Sequence, residues 1–212
     1  MRNSALILAA VAFAAFLALG FDVVRFGEPP LLDAWRESLV DHSTLVAWWL
    51  TWSCYLYVMA PLAVVLLIVA WLAPAWRARI IFSVVMLLLC WRLADLSQHL
   101  FARPRPLDWV VKHEATFSYP SSHAAIAAGF YGLWAYLLYM SELPRGVRIA
   151  SSAALVLFAV AICWSRLALG AHYITDVKGG ALLGFSLVAA GAAIFPRALR
   201  PPDAGRASTS AE

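Results

Sequence analysis

His172 and Asp176 lie four residues apart, with Ser165-Arg166 just ahead of them. On a helix that spacing stacks an imidazole and a carboxylate on one face. The carboxylate can hold the proton on one ring nitrogen and leave the other nitrogen as a nucleophile. A solitary His/Asp pair is more often structural, so its company matters. A second cluster reads Pro120-Ser121-Ser122-His123 and opens an apolar stretch. A serine at that place caps a helix. The same helix start, with free N–H groups and a positive dipole end, also makes an anion site beside which His123 can donate a proton. A third cluster, Gln98 to Pro106, contains Arg103-Pro104-Arg105-Pro106. Each proline biases the arginine before it toward an extended conformation, and a guanidinium fork suits phosphate oxygens. A basic patch touching lipid headgroups explains these arginines equally well.

The elements that must carry these clusters are apolar. The 212 residues are 63% hydrophobic and 13% charged, whereas soluble domains are about half apolar and a quarter charged. A bilayer uses that excess, since a helix needs about 20 apolar residues to cross it. Six runs are long enough: Ser4 to Val24, Val46 to Ala73, Arg79 to Phe101, Ser121 to Met140, Ile149 to Leu169 and His172 to Phe195. The pattern predicts an all-α polytopic membrane protein, a six-transmembrane-helix bundle over residues 1–200, with a disordered cytoplasmic tail at 201–212. Pro61 should kink the second span. The first run also reads as a signal peptide, with Arg2 before it and Ala18-Leu19-Gly20 as a cleavage site. Leu31, Leu32, Trp35 and Leu39 fall at helical spacing and suit a short helix on the outer leaflet, or a loop packed on the bundle. Trp48, Trp49 and Trp52 at one end of the second span, and Trp71 and Trp76 at the other, read as interfacial belts. Cys54, Cys90 and Cys163 sit in apolar runs without zinc-ligand spacing and read as small buried hydrophobes. Gly180 and Gly184 suggest close helix packing, and Arg92 can pair with Asp95 within its span. His42 and His113 read as loop residues.

Charge sets the orientation. With the N-terminus in the cytoplasm, the inner side carries Arg77, Arg79, Arg145, Arg148, Arg197, Arg200 and Arg206. The first outer loop is mainly acidic, with Asp22, Glu28, Asp33, Glu37 and Asp41. This is a positive-inside pattern, and it accounts for a pI near 9.2 without a nucleic-acid partner. Arg103, Arg105 and Lys112 break the pattern in the second outer loop, for which a bound anion is a reason. The three clusters then meet at the outer ends of the last four spans. Polar groups at such a depth are expensive and usually functional.

Together the clusters resemble the signature of the type-2 phosphatidic acid phosphatase superfamily: Lys, six residues, Arg-Pro; Pro-Ser-Gly-His; and Ser-Arg, five residues, His, three residues, Asp. The third motif is complete from Ser165 to Asp176. The second has Ser122 where Gly is usual, and the first has Gln98 where Lys is usual before Arg105-Pro106. The resemblance implies that His172 attacks phosphorus and forms a phosphohistidine, that Asp176 orients it, and that His123 protonates the departing lipid oxygen and then assists water. Arg105, Arg166, Ser121, Ser122 and Gln98 would hold the phosphate oxygens, with Arg103 or His99 able to stand in for the missing cation. It further implies a metal-independent, cofactor-free lipid phosphatase in a bacterial inner membrane, its site facing the periplasm or exterior. The substrate partner would be a polyprenyl pyrophosphate, a glycerolipid phosphate or a lipid A phosphate. The rival readings are a lipid phosphotransferase built on the same site, a catalytically weak lipid-binding protein, and a transporter using His172, Asp176 and Arg166 as an ion relay.

Overall fold

Helical sequence fills most of the described residues, which are 2–40, 44–107 and 115–199 of the chain in a computed structural model, and no strand occurs among them. The helices are α1 (Arg2–Phe26), α2 (Pro30–Leu39), α3 (Thr44–Trp52), α4 (Leu56–Leu72), α5 (Arg77–Phe101), α6 (Ser122–Ile126), α7 (Gly132–Tyr139), α8 (Arg145–Ala168) and α9 (Ile174–Ile194). A π turn (Ala127–Tyr131) joins α6 to α7, and a 3₁₀ turn (Pro196–Leu199) follows α9. α1, α5, α8 and α9 are each long and apolar enough to cross a membrane, and α3 with α4 forms a fifth candidate bent by 42°. The protein is an integral membrane protein of helical architecture. The predicted disorder of 201–212 and the loop assignments of His42 and His113 fall outside the described residues.

α1 is part of the bundle. Ala9, Ala12, Phe16, Gly20 and Val23 recur at helical spacing and are its buried residues, the stripe that a packed helix requires. Tyr119 stacks on Phe16 at 5.6 Å and meets Phe101 edge-on at 5.0 Å. Its hydroxyl donates to the Phe16 carbonyl at 2.5 Å. Burial, with the Asp176 charge as a lesser cause, pushes that phenol well above its ordinary range and keeps it a donor. This aromatic cluster ties α1 and α5 to the chain just before Pro120.

Close backbone approach sets α6 against α9. A Cβ at Gly180 would lie 2.2 Å from the Ser121 carbonyl oxygen, and one at Gly184 would lie 2.3 Å from that of Ala125. Two glycines a turn apart let the helices touch through their backbones, as their spacing predicts. α2 forms where the apolar spacing places it. Its Leu31 and Trp35 are exposed, while Arg36 is buried against Asp33 and the Tyr173 ring. Arg92 pairs with Asp95 at 3.6 Å. Cys54 and Cys90 are buried and Cys163 is half-buried.

Two expectations are corrected. α4 continues through Pro61, and the bend of the second span falls upstream, at Ser53 to Tyr55. There Ser53 and Cys54 N–H groups turn back to the Leu50 and Thr51 carbonyls. Pro61 withholds a donor from one carbonyl only, which a helix tolerates. The sixth span was expected to begin at His172, but α9 begins at Ile174. α8 ends in a Schellman turn, with Gly170 at φ +66 donating to Leu167 and Ala171 donating to Arg166. Tyr173 then takes an extended conformation as the N-cap of α9, so His172 stands in the connection between helices.

Candidate active site

Although His172 precedes the helix, Asp176 still reaches it. Asp176 occupies the third position of α9, where its Oδ2 accepts the Tyr173 N–H at 2.9 Å. That bond closes a capping box and aims the carboxylate backward along the chain. The same Oδ2 lies 3.5 Å from His172 Nδ1. On the other side of the ring, Arg105 Nη1 is 3.0 Å from His172 Nε2. A guanidinium has only donors, so this contact assigns the lone pair to Nε2 and the proton to Nδ1, toward Asp176. The imidazole is thereby held in the tautomer that a nucleophilic Nε2 requires.

Arg105 is braced for this contact. Its Nε and Nη2 donate to the Thr116 carbonyl and hydroxyl, each at 2.7 Å, and Nη1 also donates to the Ala171 carbonyl at 3.0 Å. The charge beside Nε2 is therefore fixed in place, an arrangement able to stabilise negative charge that develops there. Arg103 takes another course. Its Nη1 donates to Asp176 Oδ1 at 2.5 Å and to Thr175 Oγ1 at 2.8 Å, and Nη2 meets Glu28 Oε2 at 3.1 Å. Its guanidinium lies 4.2 Å from the Tyr173 ring centroid. Arg103 thus stands behind the His/Asp pair, bound to two carboxylates.

The second cluster joins the same end of the bundle. The Ser121 N–H donates to the Asp176 carbonyl at 3.0 Å, linking the start of α6 to α9. Ser121 caps α6, its hydroxyl accepting from Ala124 N–H at 3.4 Å. The capping reading of that serine is therefore satisfied, and the helix start remains a place where an anion is favoured. Ser122 opens α6 and is half-buried. His123 is buried and meets the Tyr55 ring edge-on at 5.1 Å.

Gln98 is buried and donates its amide to the Pro120 carbonyl at 2.9 Å. It thus tethers the loop that carries Ser121. Arg166 is buried and donates to the Thr51 hydroxyl at 2.5 Å, while Ser165 bonds back to the Ile162 carbonyl. His99 stacks edge-on against Phe117 at 5.9 Å. Sequence reasoning passed over Glu28, Thr51, Tyr55, Thr116 and Thr175. Glu28 was visible only as one acid among several in the first outer loop. Thr51 and Tyr55 flank the break in the second span, which no apolar periodicity announces.

With this geometry in place, the comparisons identify the class. Residues 78–200, more than half of the chain, match the family model of the PAP2 superfamily, and the chain belongs to that superfamily. Phosphatidylglycerophosphatase B of Bacillus subtilis (strain 168) is 38% identical over 90 residues, which cover 40% of this chain and 42% of that relative. The match thus spans less than half the length of that protein. The crystal structure of a transmembrane PAP2 type phosphatidylglycerolphosphate phosphatase from Bacillus subtilis aligns with a TM-score of 0.72 at 22% identity, over 89% of this chain and 96% of that one. At that identity the likeness is one of fold. The stretch that the family model matches contains Gln98 through Asp176, whereas Glu28, Thr51 and Tyr55 lie outside it.

Proposed function

We propose that this protein is a lipid phosphate phosphatase that acts through a phosphohistidine on His172, with a glycerolipid phosphate of the phosphatidylglycerophosphate type as its leading substrate class. The observation that carries the reading is the Arg105 contact to His172 Nε2 at 3.0 Å, opposite the Asp176 contact to Nδ1. In the first step Nε2 forms a bond to phosphorus and the bond to the lipid oxygen breaks. His123 gives its proton to that oxygen, while Asp176 balances the imidazolium. In the second step His123 takes a proton from water as the water oxygen attacks phosphorus, which releases phosphate and restores neutral His172. Arg105, Arg166, Ser121 and Ser122 surround the phosphate oxygens, with Gln98 supporting the loop from beneath. The chemistry requires positioning and charge, which these groups supply without a metal.

Two further observations favour a lipid. A cavity of about 180 Å³ opens between α4 and α5, lined by Leu56, Met59, Ala63, Leu87 and Trp91. It reaches Cys54, whose Sγ is 4.0 Å from the His123 carbonyl, so an acyl chain there would run toward the backbone at the start of α6. Ser122 to Tyr139 is helical throughout, across its π turn, and supplies the sixth span. Arg77, Arg79, Arg145 and Arg148 then lie on the cytoplasmic side and the site on the outer side. In a chain freed of its native cysteines, Leu107→Cys should react with an impermeant thiol reagent in intact cells and Arg145→Cys should not. The reverse labelling would overturn the orientation.

The deciding test is phosphate release by purified protein from phosphatidylglycerophosphate, phosphatidate, a polyprenyl pyrophosphate and lipid A. His172→Ala should abolish turnover together with an acid-labile phosphoenzyme. His123→Ala should do less harm when the leaving group is already acidic, because that group needs little protonation. Near-normal turnover in His172→Ala would sink the mechanism.

A further inference from the structure

Glu28 has no place in the chemistry above, yet its carboxylate is enclosed. α1 ends at Phe26, Gly27 follows it with φ +79, and Pro29-Pro30 starts α2. Glu28 is therefore a turn residue, and turn residues normally leave their charges in water. Its side chain is only 3% exposed, and that of Arg103 is 4% exposed. A carboxylate is buried in this way only when it is paired and hydrogen-bonded. Oε2 meets Arg103 Nη2 at 3.1 Å and accepts the Thr175 hydroxyl. Oε1 accepts the Thr175 N–H at 3.3 Å, one of the donors that the first turn of α9 cannot satisfy internally.

We propose that Glu28 is a positioning residue for the phosphoryl-transfer site, acting through Arg103 and Thr175 on Asp176 and so on His172. The inference rests on the phosphatase reading and adds a residue from outside the stretch that the family model matches. Its basis is the arrangement of charge. Arg103 bridges two carboxylates, Asp176 Oδ1 at 2.5 Å and Glu28 Oε2 at 3.1 Å. Paired with Asp176 alone, a buried guanidinium would neutralise the carboxylate that must serve the imidazole. Shared with Glu28, the trio carries a net negative charge, and Asp176 Oδ2 presents it to His172 Nδ1. As Nε2 bonds to phosphorus the ring becomes cationic, and this charge favours that state. Glu28 also fixes the N–H of Thr175, the residue before Asp176, and so sets the first turn of α9 from which the carboxylate projects.

A staple that merely joined the α1–α2 turn to α9 would affect stability alone. The test is therefore kinetic and uses the full-length protein in detergent with the lipid phosphate that wild type hydrolyses fastest. Glu28→Gln keeps the size and most hydrogen bonds but loses the charge. Its kcat should fall about tenfold or more with KM within about twofold, the scale of a lost partner behind a reacting group. Thr175→Val should lower kcat in the same direction by a smaller factor. Glu28→Gln combined with Asp176→Asn should be no slower than Asp176→Asn alone, because groups acting in series are non-additive. Unchanged kcat in Glu28→Gln overturns the inference, as do multiplicative losses in the double variant. It is equally overturned if both single variants lose thermal stability while kcat per folded molecule stays at the wild-type value. Wild-type protein that releases no phosphate from any of the lipids overturns the phosphatase reading and this inference with it. Active wild type beside an unaffected Glu28→Gln overturns this inference alone.

Discussion

Arg103 and Arg105 stand two residues apart, each before a proline, and they do opposite things. Arg103 is almost fully enclosed between Glu28 and Asp176. Arg105 is half-buried, braced by Thr116 and Ala171, and its guanidinium faces the Nε2 of His172. Local sequence biases both toward the same extended backbone. The difference comes from what the fold brings alongside: two carboxylates for one, carbonyls and a ring nitrogen for the other. One cation is committed to holding the protein's own charges, and the other faces the ring nitrogen of His172. A signature that records arginines by spacing cannot separate these roles, but stability and turnover can.

The largest expected effect separates them directly. Arg103→Met leaves Glu28 and Asp176 facing each other in a buried place without their cation. Breaking a buried pair in this way costs about 3–5 kcal/mol, a large share of the total stability of a domain. The variant should melt far below wild type in detergent or fail to accumulate. Arg105→Met should keep its melting midpoint within a few degrees, yet lose about 10²–10³-fold in kcat/KM, the scale of one lost donor at a charge-developing centre. An unstable Arg105→Met beside a stable, slow Arg103→Met would reverse the comparison and the assignment of roles with it.

A smaller effect probes how the second cluster is brought to the third. Gly180→Ala forces a methyl toward the Ser121 carbonyl oxygen, which lies 2.2 Å from the ideal Cβ position. Backbone cannot rotate away as a side chain can, so overpacking should cost about 1–3 kcal/mol. Turnover should drop as well, because Ser121 and His123 move with that strand of chain. Gly146→Ala meets nothing within 4 Å and serves as the control, with stability equal to wild type or slightly higher. Equal melting of both variants would remove the close α6–α9 contact from the account of the site.

Much of this was legible in the sequence, and the limits have a physical cause. Long apolar runs reveal helices because the bilayer leaves the backbone few alternatives. His172, Asp176 and the Pro120 cluster were legible because their residue types are costly at that depth. The small-residue spacing of Gly180 and Gly184 translated directly into helix contact. Contacts across great sequence distance were not legible. Glu28 meets Thr175, and Thr51 meets Arg166, through packing of α1, α3, α8 and α9 that no local periodicity encodes. The helical stacking of His172 on Asp176 was the wrong geometry for the right pair. Gly170 ends α8 and Tyr173 caps α9, so the histidine approaches the carboxylate from a turn, through the capping box that a helix-start aspartate forms.

The smallest expected effect concerns the residue that departs from the family's usual lysine. Gln98 donates to the Pro120 carbonyl at 2.9 Å, so its amide supports the loop that leads into Ser121 and His123. Gln98→Leu removes the donor and leaves a buried carbonyl short of a partner, at a cost of about 1–3 kcal/mol. Gln98→Lys is more informative because an ammonium can keep that hydrogen bond while adding charge. A buried cation is disfavoured until an anion joins it. The variant should therefore melt below wild type without ligand, and inorganic phosphate should raise its midpoint by more than it raises that of wild type, since a ligand stabilises in proportion to how well the folded protein holds it. KM for a lipid phosphate should fall severalfold with kcat close to wild type. A phosphate-insensitive midpoint together with a raised KM would show that position 98 serves the Pro120 loop alone, and that Arg105 and Arg166 suffice as the cations around the phosphate.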